Sequence, residues 1–340
     1  MKKIATSILA LTISLSASAE HINPKNNLPN LHQAIIENNF DKVKSLVENG
    51  ADVNQLDKKM GNAPLHIAAQ GGTPEMINLL IANGAFVNLQ TPKAGFSPLM
   101  VATWYSKPAN IKALLKAEDI NVNLKTPAGV MAEQWAGGWD RDLDENEKKL
   151  IAEIKKIFAD YRAGLNIKLE SQVIMQTLLD KNLTEEQKTA KVAELIKQGA
   201  EVDTVQPVIG NGNDTHTPLL VAARSGYTKI VEMLLNAGAD QRKRGYMMDA
   251  ISLHKGGYMG HPEVLDLLVN AKYINEELNA QGPNNGYTPL HDAIWHGHTK
   301  AAEVLINAGA RTDLKNYEGD TPLDLAKRYK YNDIVKLLEK

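Results

Sequence analysis

Apolar residues return along this 340-residue chain as short helical stripes, separated by polar turns marked with glycine. Residues 286–313, "GYTPLHDAIWHGHTKAAEVLINAGARTD", show the unit most clearly. Leu290, Ala293 and Ile294 fall at i, i+3 and i+4, which is one face of a short helix. Thr288 can cap that helix through its hydroxyl, and Pro289 suits a first turn whose N–H has no partner in any case. Gly297-His298 breaks the stripe. Ala301, Val304 and Leu305 then form the inner face of a second helix, and Gly309 stands where a left-handed residue ends it.

The same phrase recurs. "GNAPLHIAAQGGTPEMINLLIANGAFVN" occupies 61–88. Pro-Leu pairs mark five units: Pro64-Leu65, Pro98-Leu99, Pro218-Leu219, Pro289-Leu290 and Pro322-Leu323. Gly-Ala pairs trail them at Gly50, Gly84, Gly199, Gly238 and Gly309. The first interval is 34 residues and the last 33. Paired small residues (Ala68-Ala69, Ala222-Ala223) allow close helix packing. Such a unit is too small to bury its own stripe, so neighbours must bury it together.

A period near 33 with T-P-L-H-x-A resembles the ankyrin repeat, and it is the motif by which that repeat is read from sequence. The likeness covers most of residues 28–340 and implies an all-α solenoid of about nine helix–turn–helix units. The first begins near Asn30. A fourth near Gly129 is degenerate, with Ala132 where Pro322 stands in "GDTPLDLA". A fifth spans 169–203 with a stretched turn, and a seventh near Tyr246 lacks the motif. The expected divisions are N-terminal repeats over 20–136, degenerate repeats with insertions over 137–204, and C-terminal repeats over 205–340. "GGWDRDLDENEKK" reads as an insertion before a helix over Leu150–Tyr161, and 204–216 and 272–285 read as long loops.

Residues 1–19 carry a different signal. Lys2 and Lys3 precede an apolar run and then Ala17-Ser18-Ala19, the pattern of a secretory signal peptide cleaved after Ala19. The chain has no cysteine, which removes disulfides, thiolate chemistry and a lipobox anchor together. Both features point to a bacterial periplasm, or to secretion. Without Lys2 and Lys3, 36 basic residues face 40 acidic ones, and this net −4 is no nucleic-acid footprint.

Chemical motifs are weak. "GNGND" at 210–214 has no preceding strand and no GK[ST], and no G-x-S-x-G elbow is present. "DRDLDEN" lacks the glycine of a calcium loop. His291, His296 and His298 are close in sequence but advertise no further metal ligand, and His254 and His261 flank a Gly-rich stretch read as a turn. The expectation is a non-enzyme with no metal and no cofactor.

The ankyrin resemblance assigns partner contacts to the two variable positions after the paired small residues, on the concave face. These are Ile36 and Glu37, Gln70 and Gly71, Trp104 and Tyr105, Arg224 and Ser225, Trp295 and His296, and Arg328 and Tyr329. Trp104, Tyr105, Arg224, Trp295, His296, Arg328 and Tyr329 are the expected contact residues, since Trp, Tyr and Arg dominate interface energies. Trp139, inside the insertion, is a further candidate, whereas Trp135 matches the core position of Leu325. The resemblance implies a monomeric, non-catalytic protein-binding scaffold that neither inserts in a membrane nor binds nucleic acid. The exported ankyrin proteins that this chain resembles suggest two roles, immunity against a secreted toxic effector or support of an antioxidant enzyme such as catalase, and the cleavable signal permits a third, a secreted effector that binds host proteins.

Overall fold

The computed structural model describes residues 22–23, 28–137, 142–245 and 249–339. The signal-peptide segment, Trp139 and Tyr246 lie outside them. Apart from a two-residue antiparallel pairing of Ile22–Asn23 with Leu28–Pro29, the described residues form no extended strands.

Among the described residues, nine helical pairs follow one another. Their first members are Asn30–Ile36, Pro64–Gly71, Pro98–Trp104, a 3-10 turn at Ala132–Trp135, Val173–Leu179, Pro218–Ser225, Ser252–Met259, Pro289–Trp295 and Pro322–Arg328. Their partners are Phe40–Glu48, Pro74–Ala82, Pro108–Leu114, Glu145–Ser171, Glu185–Lys197, Thr228–Asn236, Pro262–Val269, Thr299–Asn307 and Asn332–Leu338. The capping expectation holds: Ser97, Thr217, Thr288 and Thr321 each accept from the N–H three residues on, with proline next in line. Gly238 and Gly309 follow their helices with φ of +92° and +89°.

The chain divides into two compact units, 1–165 with 208–210, and 166–207 with 211–340. Each has its own core. In the first, Leu65, Met76, Leu80, Leu99, Ile111 and Leu114 are enclosed, and Ile154 and Phe158 join them. In the second, Leu219, Leu234, Leu253, Leu265, Leu290 and Leu305 take the same roles.

Three sequence expectations need correction. The helix expected over Leu150–Tyr161 runs from Glu145 to Ser171. Asp144 starts it by accepting from the N–H groups of Asn146 and Glu147, and no proline or β-branched run interrupts it. Arg162 ties it to the first unit through Glu133, at 2.8 Å. The Gly-rich stretch between His254 and His261 is a helix, Ser252–Met259, rather than a turn. Gly256 and Gly257 sit where other repeats place paired alanines. A Cβ on Gly257 would stand 2.7 Å from the Pro289 carbonyl, so the helices pack too closely for a side chain. The expected loop 272–285 also contains a helical turn, Ile274–Glu277.

Candidate protein-binding site

Histidines hold consecutive repeats together. His32 donates to the Asn62 carbonyl, His66 to Phe96, His254 to Tyr287 and His291 to Asp320, at 2.9, 2.9, 3.1 and 3.3 Å. A carbonyl only accepts, so Nε2 carries the proton in each ring. In His66 and His291, Nδ1 accepts from the helix-start N–H of its own repeat. Burial lowers the pKa of all four, His254 to about 4, which keeps the rings neutral. A second set points backward: His261 donates to the Arg224 carbonyl and His298 to that of Tyr258, each at 3.1 Å. His298 lies against Gly260, where a Cβ would meet its ring at 2.5 Å. Among the described residues no three His, Cys, Asp or Glu side chains gather as a metal site.

The expected contact residues stand at the ends of first helices. In the first unit Trp104 is half-buried, its ring 5.1 Å from Trp135 and 6.2 Å from Phe96, while Tyr105 is 47 % exposed. Trp135 packs against the core edge rather than inside it, unlike Leu325, which is fully enclosed. In the second unit Trp295 is half-buried, with Tyr287 at 5.5 Å and Tyr258 at 6.0 Å. His296 is exposed, 4.2 Å from Tyr258. Arg328 pairs with Glu318 and Asp320, and Tyr329 beside it is exposed. Arg224 is half-buried and donates to the Gly212 carbonyl and to Asn213 Oδ1 (3.2 and 2.7 Å), which fixes the preceding loop.

Trp295 and Arg224 line one cavity of about 220 Å³ in the second unit. Its walls also hold His254, Lys255, Tyr258, Met259 and Asp292. Tyr258 and Met259 are the seventh repeat's pair of variable positions, equivalent to Trp295 and His296. They escaped the sequence reading because that repeat has Ile251-Ser252-Leu253-His254 in place of T-P-L-H. Lys255 and Asp292 escaped it too, although the signal was available. They occupy the slot after the motif histidine that Ile67, Val101, Val221 and Leu325 fill in other repeats.

The profile for ankyrin repeats in three copies matches residues 31–126 and 248–340, and that for the single ankyrin repeat matches 214–245. The chain belongs to the ankyrin-repeat family. Ankyrin repeats mediate protein–protein interaction and are generally non-catalytic. Among curated relatives, the tyrosine-protein kinase HTK16 of Hydra vulgaris is 30 % identical over 131 residues, 36 % of this chain and 16 % of the relative. The human ankyrin repeat and SOCS box protein 3 is 32 % identical over 113 residues, 32 % of this chain and 21 % of the relative. Rat cyclin-dependent kinase 4 inhibitor B is 32 % identical over 134 residues, 38 % of this chain but 95 % of the relative. The first two are thus matched over about a fifth of their length or less, whereas the third is matched almost throughout. Among the described residues of this ankyrin protein, no helix is long and apolar enough to cross a membrane.

Proposed function

We propose that this ankyrin protein is a non-catalytic scaffold, exported to the periplasm, that grips another protein through the ends of its first helices. One observation carries the reading. The variable positions present aromatic and arginine side chains with open edges, Tyr105, Tyr258 and Tyr329 among them, on a framework whose histidines are used in joining repeats. Rigid rings held on helices lose little entropy on binding and cover much area. Trp104 and Tyr105 would serve in the first unit; Arg224, Trp295, His296, Arg328 and Tyr329 in the second. Trp139 is the reserve candidate.

Affinity capture with the tagged full chain, from cells that make it, tests this against the triple variant W104A/Y105A/W295A. A protein retained by the native chain and lost by the variant supports the reading. A partner kept equally by both overturns these contacts and moves attention to Trp139. The partner's nature separates the expected roles: a toxic effector, an antioxidant enzyme or a host protein. Export is tested by cell fractionation and by sequencing the mature N-terminus, expected at Glu20. A protein retained in the cytoplasm with residues 1–19 intact would sink that part.

A further inference from the structure

Asp292 is 97 % buried, since only 3 % of it is exposed, yet its Oδ1 has no hydrogen-bond partner. It lines the 220 Å³ cavity together with Lys255 and Arg224. Among the described residues, neither cation is paired with a carboxylate. Arg224 is bonded to a carbonyl and an amide oxygen, and Lys255 and Asp292 feel each other's charge across the cavity without an ion pair within 4 Å. Lys255 and Asp292 come from neighbouring repeats at the same register, in a slot usually apolar. A chain built only for stability gains nothing there, because buried charge without a partner is costly.

The charges choose an occupant. With Asp292 ionised the cavity carries one positive charge net, and with Asp292 protonated it carries two. Either way an anion is drawn in and a cation meets two like charges. Burial raises the Asp292 pKa to about 8, so near neutrality it holds a proton it can donate to an incoming carboxylate. At about 30 Å³ per water the cavity has room for roughly seven waters, which is the size of a side chain rather than a larger ligand. The mouth is apolar and aromatic: Tyr258 and Met259 are exposed, and Trp295 stands beside them. A methylene stem would pass between them.

We infer that this cavity receives an acidic side chain, glutamate above all, from a loop of the protein partner, with Lys255 and Arg224 on its carboxylate and Trp295 and Tyr258 on its stem. The inference rests on the protein-binding reading above. A C-terminal carboxylate would bring its own terminal side chain and backbone into a space that holds one side chain.

Full-length protein is titrated with Ac-Leu-Glu-NH2, Ac-Leu-Gln-NH2, Ac-Leu-Lys-NH2, Ac-Leu-Leu-OH and free glutarate, following the Trp295 indole N–H signal, assigned from a W295F spectrum. The glutamate peptide is expected to bind at least about tenfold more tightly than the glutamine and lysine peptides. K255M is expected to erase most of that preference. Since other repeats carry apolar residues in this slot, K255M should fold. If its unfolding midpoint collapses, K255Q replaces it, and the native protein's peptide preference decides alone. Equal binding of glutamate and glutamine peptides, preference for lysine, or no response overturns the inference. Tighter binding of Ac-Leu-Leu-OH or glutarate overturns the assignment to a side chain. Failure with all peptides leaves partner capture untouched. Failed capture with the glutamate preference intact would retire the scaffold reading and, with it, the protein source of the carboxylate.

Discussion

The Nε2 of His254 lies 3.1 Å from the backbone carbonyl of Tyr287, 33 residues further along the chain. One repeat's first helix thereby supports the turn that launches the next. Both groups are buried, so truncating the imidazole leaves the Tyr287 carbonyl with the Gly282 N–H alone, at 2.8 Å, and a void beside it. Loss of one such bond costs about 0.5–1.5 kcal/mol, and the void adds to this. H254A should therefore lower the urea midpoint of the second unit while sparing the first, followed by residue-resolved hydrogen exchange. Equal loss of protection in both units would contradict independent cores.

Gly260 and Gly309 both adopt positive φ, +72° and +89°. Their surroundings differ. A Cβ at Gly309 meets open space, whereas at Gly260 it would fall 2.5 Å from the His298 ring. G309A should cost about 1 kcal/mol, the strain of a left-handed alanine. G260A adds a clash with a ring held by the Tyr258 carbonyl, and should cost about 3 kcal/mol or more. Chemical denaturation of the two single variants checks the order. Equal costs would mean that His298 moves aside freely.

Asn110 is buried, and its Nδ2 lies 3.2, 3.2 and 3.1 Å from the carbonyls of Ala68, Ala69 and Gly72. It closes the open end of the preceding repeat's first helix, where four carbonyls lack intrahelical partners. N110A should destabilise the first unit by about 2–3 kcal/mol, and N110D should do no better, because a carboxylate there would face carbonyl oxygens. Thermal unfolding of the pair decides this. An aspartate that restores stability would show that the amide's donation is not the cause.

These features show what was legible in the sequence. The nine-unit frame was readable, because Thr-Pro-Leu starts and Gly-Ala ends are local signals with local causes. Within the seventh repeat, the stretch between His254 and His261 reads as a turn because Gly256-Gly257 looks like a helix breaker. Only the approach of the Pro289 carbonyl explains why glycine is required there. The full length of Glu145–Ser171 is not legible because Leu165, Ile167 and Leu169 alternate with polar residues instead of continuing its apolar stripe, and its anchor, Arg162 to Glu133, joins residues 29 apart. Asn110 gave no signal at all. The cavity pair Lys255 and Asp292 was visible in principle, as two charges in an apolar register, but only once the seventh repeat is correctly aligned.

Asp292 also gives the second unit a pH dependence of known sign. Its folded pKa is raised to about 8 from 3.8, so the folded state binds more protons between those values and stability falls as pH rises through them. His216 and His254 act oppositely: both are lowered to about 4 from 6.5, so their contribution rises from about pH 4 and levels off above pH 6.5, and His291 and His296, also lowered by burial, add in the same sense. Glu277, raised to about 7 from 4.5, acts in the same sense as Asp292 and still titrates above pH 6.5. Asp292 is faced by Lys255, which lowers its pKa, and by Arg224 and neutral His254 in the same cavity, and the comparison with D292N isolates it from the other groups. Between pH 6.5 and 8 the native second unit should lose roughly 1.5 kcal/mol more than D292N does. D292N, which keeps the shape and cannot ionise, retains only the pH response of Glu277 and the histidines. Urea unfolding at pH 6.5 and 8.0, read by hydrogen exchange of the second unit, makes the comparison. A D292N profile as steep as the native one would place the carboxyl in contact with water and remove it from the cavity's charge balance.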